Sequence, residues 1–229
     1  MAAPLNTEDV AALIGEIYNA ATERSRWQSL MQRVADALSG TSAVMVSFGD
    51  PQADGAVHAS HNLDPHYIAL YEQHYHQYNI GIPRSQEKGL HRAGVVAVSY
   101  EYLDPGELQR SPWYNELVIP SGGGTYLQSI LLDDNSLHGA PPTYIAVNKP
   151  VKAPYFDAGA VQLARILTPH FQRALLIHWR LVFAELKAQH SEAALDQLEH
   201  GVLQLSAQGR MLHANRAASA ARARRPPQR

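Results

Sequence analysis

Two short runs constrain this chain more than any other feature. Tyr126–Leu132 and Thr143–Asn148 are rich in aliphatic, aromatic and β-branched residues. The polar loop between them contains Asp133-Asp134-Asn135 and ends at Pro141-Pro142. That pattern reads as an antiparallel hairpin with a loop longer than usual. A hairpin cannot bury a core alone, so further strands and covering helices must come from the rest of the chain.

The flanks supply them. Residues 7–21 read as a helix, capped by Asn6 or Thr7, with Glu8 and Asp9 in the first turn. Val10, Leu13, Ile14 and Ile17 form its apolar face. A second helix over 24–38 aligns Trp27, Leu30, Met31, Val34 and Leu38, and Gly40 follows as a stop. Ser42–Phe48 reads as a strand. The turn signals Asp50-Pro51 and Asp54-Gly55 follow, then a second strand over 56–60. Asp64-Pro65 opens a helix expected to run to 78. Val95–Val98 reads as a short strand, Asp104-Pro105 opens a turn or short helix, and residues 112–118 read as another short helix. Ser121-Gly-Gly-Gly124 reads as a flexible connection. Asp157 caps a helix expected to reach about 199, with a kink at Pro169. Strands in mid-chain with helices on either side indicate an α+β domain, an antiparallel sheet covered by helices.

The long helix carries a seven-residue pattern. One row is Leu167, Ala174, Leu181, Ala188 and Leu195; the other is His170, Ile177, Ala184, Ser191 and Leu198. Either this is a coiled-coil seam, and hence a homodimer contact, or it is one helix packing along its own domain. Beyond Glu199, Gly201–Leu205 and Met211–His213 read as two strands, and a helix starts at Ala214. A hairpin and a turn of helix indicate the start of a second module.

Composition narrows the function. There is no cysteine, which excludes disulfides, thiolate nucleophiles and Cys-ligated zinc and fits the cytoplasm. No apolar run approaches the eighteen or so residues that span a bilayer, and the first residues do not form a secretory signal. Residues 1–213 carry 14 Lys and Arg against 21 Asp and Glu, a net of −7, whereas residues 214–229 carry five Arg and no acid. A −7 body is a poor surface for nucleic acid.

No catalytic set emerges. His58 and His61 are spaced H-x-x-H, and His74 and His76 H-x-H, without a carboxylate at metal-ligand spacing. Ser121–Gly124 lacks the lysine and the following helix of a phosphate loop, and G-x-S-x-G is absent. Asp133-Asp134 reads as a solvated turn. No catalytic residue, metal ligand or cofactor is therefore assigned. An aromatic stripe is the remaining candidate. Tyr67, Tyr71, Tyr75 and Tyr78, with Trp113, Tyr114 and Tyr126, either line a pocket for a small organic ligand or pack a helix on the sheet.

The order of motifs resembles the N-terminal part of LuxR-type helix-turn-helix transcriptional regulators. The matching stretches are Trp27…Leu30…Val34-Ala-Asp-Ala-Leu38, Leu63-Asp-Pro-His-Tyr-Ile-Ala-Leu-Tyr-Glu-Gln-His-Tyr75, Ser111-Pro-Trp-Tyr-Asn-Glu116 and Phe156-Asp157…Leu163…Leu167-Thr-Pro-His-Phe171. Ala194–Leu205 with Gly209–Ala217 is similar to the opening of a PAS-like second module in such proteins. The resemblance covers most of residues 25–220 and implies a GAF/PAS-like sensory domain. Such regulators end in a DNA-binding helix-turn-helix of some sixty residues, and nothing like it stands in this sequence. The Arg/Ala/Pro tail from about 219 resembles an engineered end or an out-of-frame read of GC-rich DNA, the alternative being a natural basic tail. The acyl-homoserine-lactone sensors of the wider family place Asp-Pro where this chain has Asn79-Ile80, and their Asp meets the ligand's amide. Asn79 cannot accept as a carboxylate does, though its carbonyl still accepts from an N–H. That departure argues against a classical autoinducer.

The expectation is therefore a GAF/PAS-like α+β sensory domain over 1–180, a linker and dimerisation helix over 181–199, the start of a truncated PAS-like module over 200–218, and a disordered basic tail over 219–229. The expected function is non-catalytic, cytoplasmic ligand or signal sensing in a LuxR-type regulator, with no membrane contact and no nucleic-acid contact by this chain. Tyr71, Tyr75, Asn79, Trp113 and Tyr126 are the expected ligand-binding residues. The alternatives are a free-standing dimerisation or protein-interaction module without a ligand, and a small enzyme using His61 or His74.

Overall fold

A computed structural model of the chain describes residues 6–48, 56–137 and 139–223. It divides into two units, Met1–Trp179 and Arg180–Arg229. The turn signals at 50–51 and 54–55 lie outside the described residues, as does the tail from 224 on.

The first unit is built on a five-stranded antiparallel sheet. Its strands are β1 (Ser42–Ser47), β2 (His58–His61), β3 (Val96–Val98), β4 (Gly124–Leu132) and β5 (Thr143–Pro150), in the order β2-β1-β5-β4-β3. The expected hairpin is thus the β4–β5 pair, with β5 at the centre of the sheet. Ser121–Gly124 is shorter as a connection than expected: Gly122 takes a positive φ of 86° and the strand begins at Gly124 itself.

One face of the sheet is covered by three helices, α1 (Thr7–Thr22), α2 (Arg26–Ala37) and the first half of α6 (Ala158–Asp196). Asn6 and Asp9 form a reciprocal capping box at the start of α1. Leu13 and Ile17 of α1, and Trp27, Leu30, Met31 and Val34 of α2, are almost wholly removed from water. Trp27 stacks on Phe171 of α6 at 6.4 Å. Ser129 of β4 shares a hydrogen bond with Thr168 (2.8 Å), and the Gln172 amide donates to the Leu131 carbonyl. This face is packed as a protein interior should be.

The opposite face is covered by α3 (Pro65–Gln73), α4 (Gly81–Glu87) and a π-helical turn at Trp113–Val118, with α5 (Pro105–Arg110) beside them. Asp64 caps α3 and Asp104 caps α5, each followed by Pro at the first helical position. The helix expected over 65–78 is not continuous. It ends at Gln73, His74 adopts φ −140°, and residues 75–78 form a separate 3₁₀ turn. The four-residue spacing of the tyrosines is therefore interrupted between Tyr71 and Tyr75.

Helix α6 runs without a break through Pro169. Over its first half the seven-residue pattern follows the second of the two readings, a helix packing along its own domain. Leu167 and Ala174 are buried inside the first unit, Leu167 beside Phe171 and the sheet residues Leu127 and Ile145. From Leu181, which is 42% exposed, the row is open. No helix among the described residues is long and apolar enough to cross a membrane.

The second unit holds the end of α6, a hairpin of β6 (Leu203–Leu205) and β7 (Met211–Ala214), and α7 (Arg216–Ala223). The helix extends to Ala223, beyond the point where a disordered tail was expected to begin. Asn215, fully buried, organises this unit. Its side-chain oxygen accepts from the Val202 and Ala218 amides, and its NH2 donates to the Leu195 and His200 carbonyls.

Candidate functional site

The covered but unfilled side of the sheet encloses a cavity of about 820 Å³. Strand register defines its floor. Residues opposite each other in antiparallel strands share a face, and each strand contributes every second residue. Three rows result. Tyr126, Asn148 and Ser42 form the first; Gln128, Ala146, Val44 and Ser60 the second; Ile130, Tyr144, Val46 and His58 the third. The second row is built of small side chains at its centre, which deepens the hollow between Tyr126 and Tyr144.

Burial shows the same hollow. Val44, Val46 and Tyr144 lie on central strands, yet each is only half-buried, and so is every side chain of α3 from Tyr67 to Tyr71. A helix that lies on a sheet normally buries an apolar stripe. Here α3 lies over open space.

The cover carries a polar network. The Asn79 side-chain oxygen accepts from the Gly81 amide at 2.8 Å, and its NH2 donates to the Tyr71 hydroxyl at 3.0 Å. Gly81 is pressed against the Tyr126 hydroxyl, leaving no room for a Cβ. The Tyr102 hydroxyl donates to that of Tyr126 at 2.8 Å, and the Trp113 and Tyr126 rings meet edge-on at 6.5 Å. Burial raises Tyr71, Tyr102, Tyr126 and Tyr144 above the ordinary phenol value, so their hydroxyls remain protonated donors. Outside the cavity, Arg84 of α4 grips Glu107 of α5 in a bidentate ion pair and also reaches Glu87. The Glu107 hydrogen bonds raise Arg84 further, and those of Arg84 lower Glu107.

Of the five residues singled out in the sequence, Tyr71, Asn79, Trp113 and Tyr126 line the cavity together, and Tyr75 does not. The 3₁₀ turn carries Tyr75 outward, where its hydroxyl donates to Glu116 at 2.9 Å. His61 and His74 are also outside the lining; His74 packs its ring edge-on against Tyr75 at 4.9 Å. No group of three or more His, Cys, Asp or Glu side chains among the described residues is placed to hold a metal ion.

Sequence reasoning missed three wall groups. Tyr144 was inside a recognised strand, and its register with Ile130 would have placed it on the floor. Gln128 stands two residues from Tyr126 on the same face, a signal present in the alternation alone. His91, in the wall, lies beyond the short helix α4, which had no clear pattern; burial lowers its pKa, against the opposing charges of Asp134 and Asp133.

No protein-family model matches the chain, and no curated protein matches it in sequence. Solved structures do match in shape. The ligand-binding domain of VqsR from Pseudomonas aeruginosa superposes with a TM-score of 0.54 at 12% identity, over 74% of this chain and 96% of that one. CepR2 from Burkholderia cenocepacia, an N-acylhomoserine-lactone-dependent transcription factor of the LuxR family, superposes with a TM-score of 0.50 at 12% identity, over 78% and 99%. The fold is that of LuxR-type ligand-binding domains. A GAF domain from a phosphoenolpyruvate-protein phosphotransferase of Coxiella burnetii aligns over 82% of this chain and 99% of its own, at 11% identity and a TM-score of 0.45.

Proposed function

We propose that residues 1–179 are the small-molecule-sensing domain of a LuxR-type transcriptional regulator, acting in the cytoplasm without a catalytic step. One observation carries the reading: an 820 Å³ hollow, the size of a ligand site, between a packed sheet and a cover that lies over it without filling it. The likeness in fold to VqsR and CepR2 supports it. Tyr71, Trp113 and Tyr126 form walls that meet the ligand. Asn79 acts as a positioning group, since its amide already holds Tyr71 and Gly81.

Signalling follows from burial. A bound ligand completes the packing of α3 and the π-helical turn, and so favours the conformation in which the cover is seated. The equilibrium moves only by the difference in the ligand's affinity for the seated and unseated states. In this reading α6 transmits that bias and forms a homodimer contact from residue 181 on, where its apolar row is exposed.

The test is hydrogen exchange of the full chain with and without N-phenyl-1-naphthylamine, a neutral apolar fluorophore. Protection should rise in residues 65–87 and 113–118, and stability should grow by about 2.7 kcal/mol at a hundredfold excess over the dissociation constant. Unchanged protection in the cover under saturating probe would refute the sensing reading.

A further inference from the structure

The floor of the cavity contains a polar group with nothing to bind. Gln128 lies in the middle of β4, a sheet-interior position where an amide has no ordinary place. It is only 9% exposed and forms part of the cavity wall. Its side-chain NH2 is buried and has no hydrogen-bond partner among the described residues. Leaving such a donor unmet costs about 1–3 kcal/mol, which an acceptor placed in the cavity would recover.

Register shows where that acceptor must lie. Gln128 is paired with Ala146 on β5 and Ala97 on β3, and Ala146 with Val44 on β1. None of these neighbours offers a side-chain acceptor. Beyond Ala146 the row is open, with Tyr126 on one side and Tyr144 on the other. Aromatic residues in the rows on either side of an alanine-floored row suit a ring-containing ligand lying across the strands. The hydroxyl of Tyr144 also has no hydrogen-bond partner among the described residues. The lining includes no lysine or arginine among the described residues; its titratable residues besides the tyrosines are Glu72, His58, His76 and His91. No side chain with a permanent positive charge therefore lines the cavity among the described residues.

Resting on the sensing reading above, we propose that Gln128 is the specificity-determining residue of this cavity and selects an uncharged, ring-containing ligand. The ligand lies along the Gln128–Ala146–Val44 row and presents a carbonyl oxygen to the Gln128 NH2. Tyr144 contributes a second donor from the neighbouring row.

The proposal is tested on the full chain with three fluorescent probes. Prodan is a neutral naphthalene ketone whose emission moves to longer wavelength when its carbonyl accepts a hydrogen bond. Pyrene is a hydrocarbon without an acceptor, and anilinonaphthalene sulfonate is an anion. The near-isosteric Gln128→Met should weaken Prodan about fivefold, the worth of one neutral hydrogen bond, and shift its bound emission to shorter wavelength. Pyrene affinity should stay within about twofold, and the sulfonate should bind the wild type at least tenfold more weakly than Prodan does. Gln128→Asn, which keeps the amide but withdraws it by one carbon, should move Prodan in the same direction and serves if the Met variant does not fold. Equal Prodan affinity and emission in wild type and variant, with pyrene bound by both, would overturn the role of Gln128 and leave the sensing reading standing. Sulfonate binding as tight as Prodan would overturn the selection for an uncharged ligand. Failure of both Prodan and pyrene to bind the folded wild type would remove the sensing reading, and this proposal with it.

Discussion

Ala146→Leu separates a ligand chamber from an ordinary core by the sign of its effect. Ala146 sits at the centre of the sheet on the cavity floor, opposite Gln128 and Val44. If the space above it is open, a leucine adds three carbons that become buried against existing apolar walls. At about 0.8 kcal/mol per carbon this contributes roughly 2.4 kcal/mol, offset by about 0.5–1 kcal/mol of lost rotamer freedom. The net expectation is a stabilisation of about 1.5 kcal/mol. With a urea slope of about 2 kcal/mol/M for a domain of this size, the unfolding midpoint should rise by about 0.7 M. The same substitution in a filled core would overpack it and cost about 1–3 kcal/mol. Equilibrium urea unfolding, followed by tryptophan fluorescence, decides between them. A midpoint lower than wild type by 0.5 M or more would refute the claim that the space is available.

Three further outcomes are expected. Gly81→Ala places a methyl against the Tyr126 hydroxyl and within 3.0 Å of the Asn79 side-chain oxygen. It should cost about 1–3 kcal/mol in urea unfolding and weaken probe binding, and a neutral result would contradict the tight seating of the cover. Burial lowers the His91 pKa, so between its folded value and about 6.5 the unfolded chain holds more protons. Stability from this group is present above that window and falls as the pH drops through it; wild type should lose more midpoint between pH 7.5 and 5.5 than His91→Gln, and equal losses would dismiss the effect. Asn215→Ala removes four hydrogen bonds from a buried hub. It should abolish hydrogen-exchange protection over residues 200–218 while the strands of the first unit keep theirs, and retained protection would show that the hairpin does not depend on Asn215.

Much of the first unit was legible in the residues because local chemistry and tertiary fold agree there. The Asn6 cap, the Trp27–Leu38 stripe and the β4–β5 runs each encode their own element and the face it buries. Disagreements arise where contacts distant in sequence override spacing. Tyr75 continues a helical stripe on paper, but its bond to Glu116 belongs to a 3₁₀ turn. Leu167 and Ala174 continue a seam on paper, but the first unit buries them in its own interior. No pattern distinguishes the π-helical turn at Trp113–Val118 from an ordinary short helix. The floor of the cavity was half legible: alternation places Gln128 beside Tyr126, yet only the surrounding alanines show that its NH2 is left without a partner among the described residues.

The central claim is that this hollow takes a ligand, and titration of the full chain with N-phenyl-1-naphthylamine tests it most directly. Wild type should bind the probe saturably at one site per chain, with strong enhancement of its emission. Ala146→Trp, whose indole would occupy the slot, should remove that binding while the far-ultraviolet spectrum remains that of a folded α+β protein. Absence of saturable binding to wild type, or undiminished binding to folded Ala146→Trp, would contradict the account.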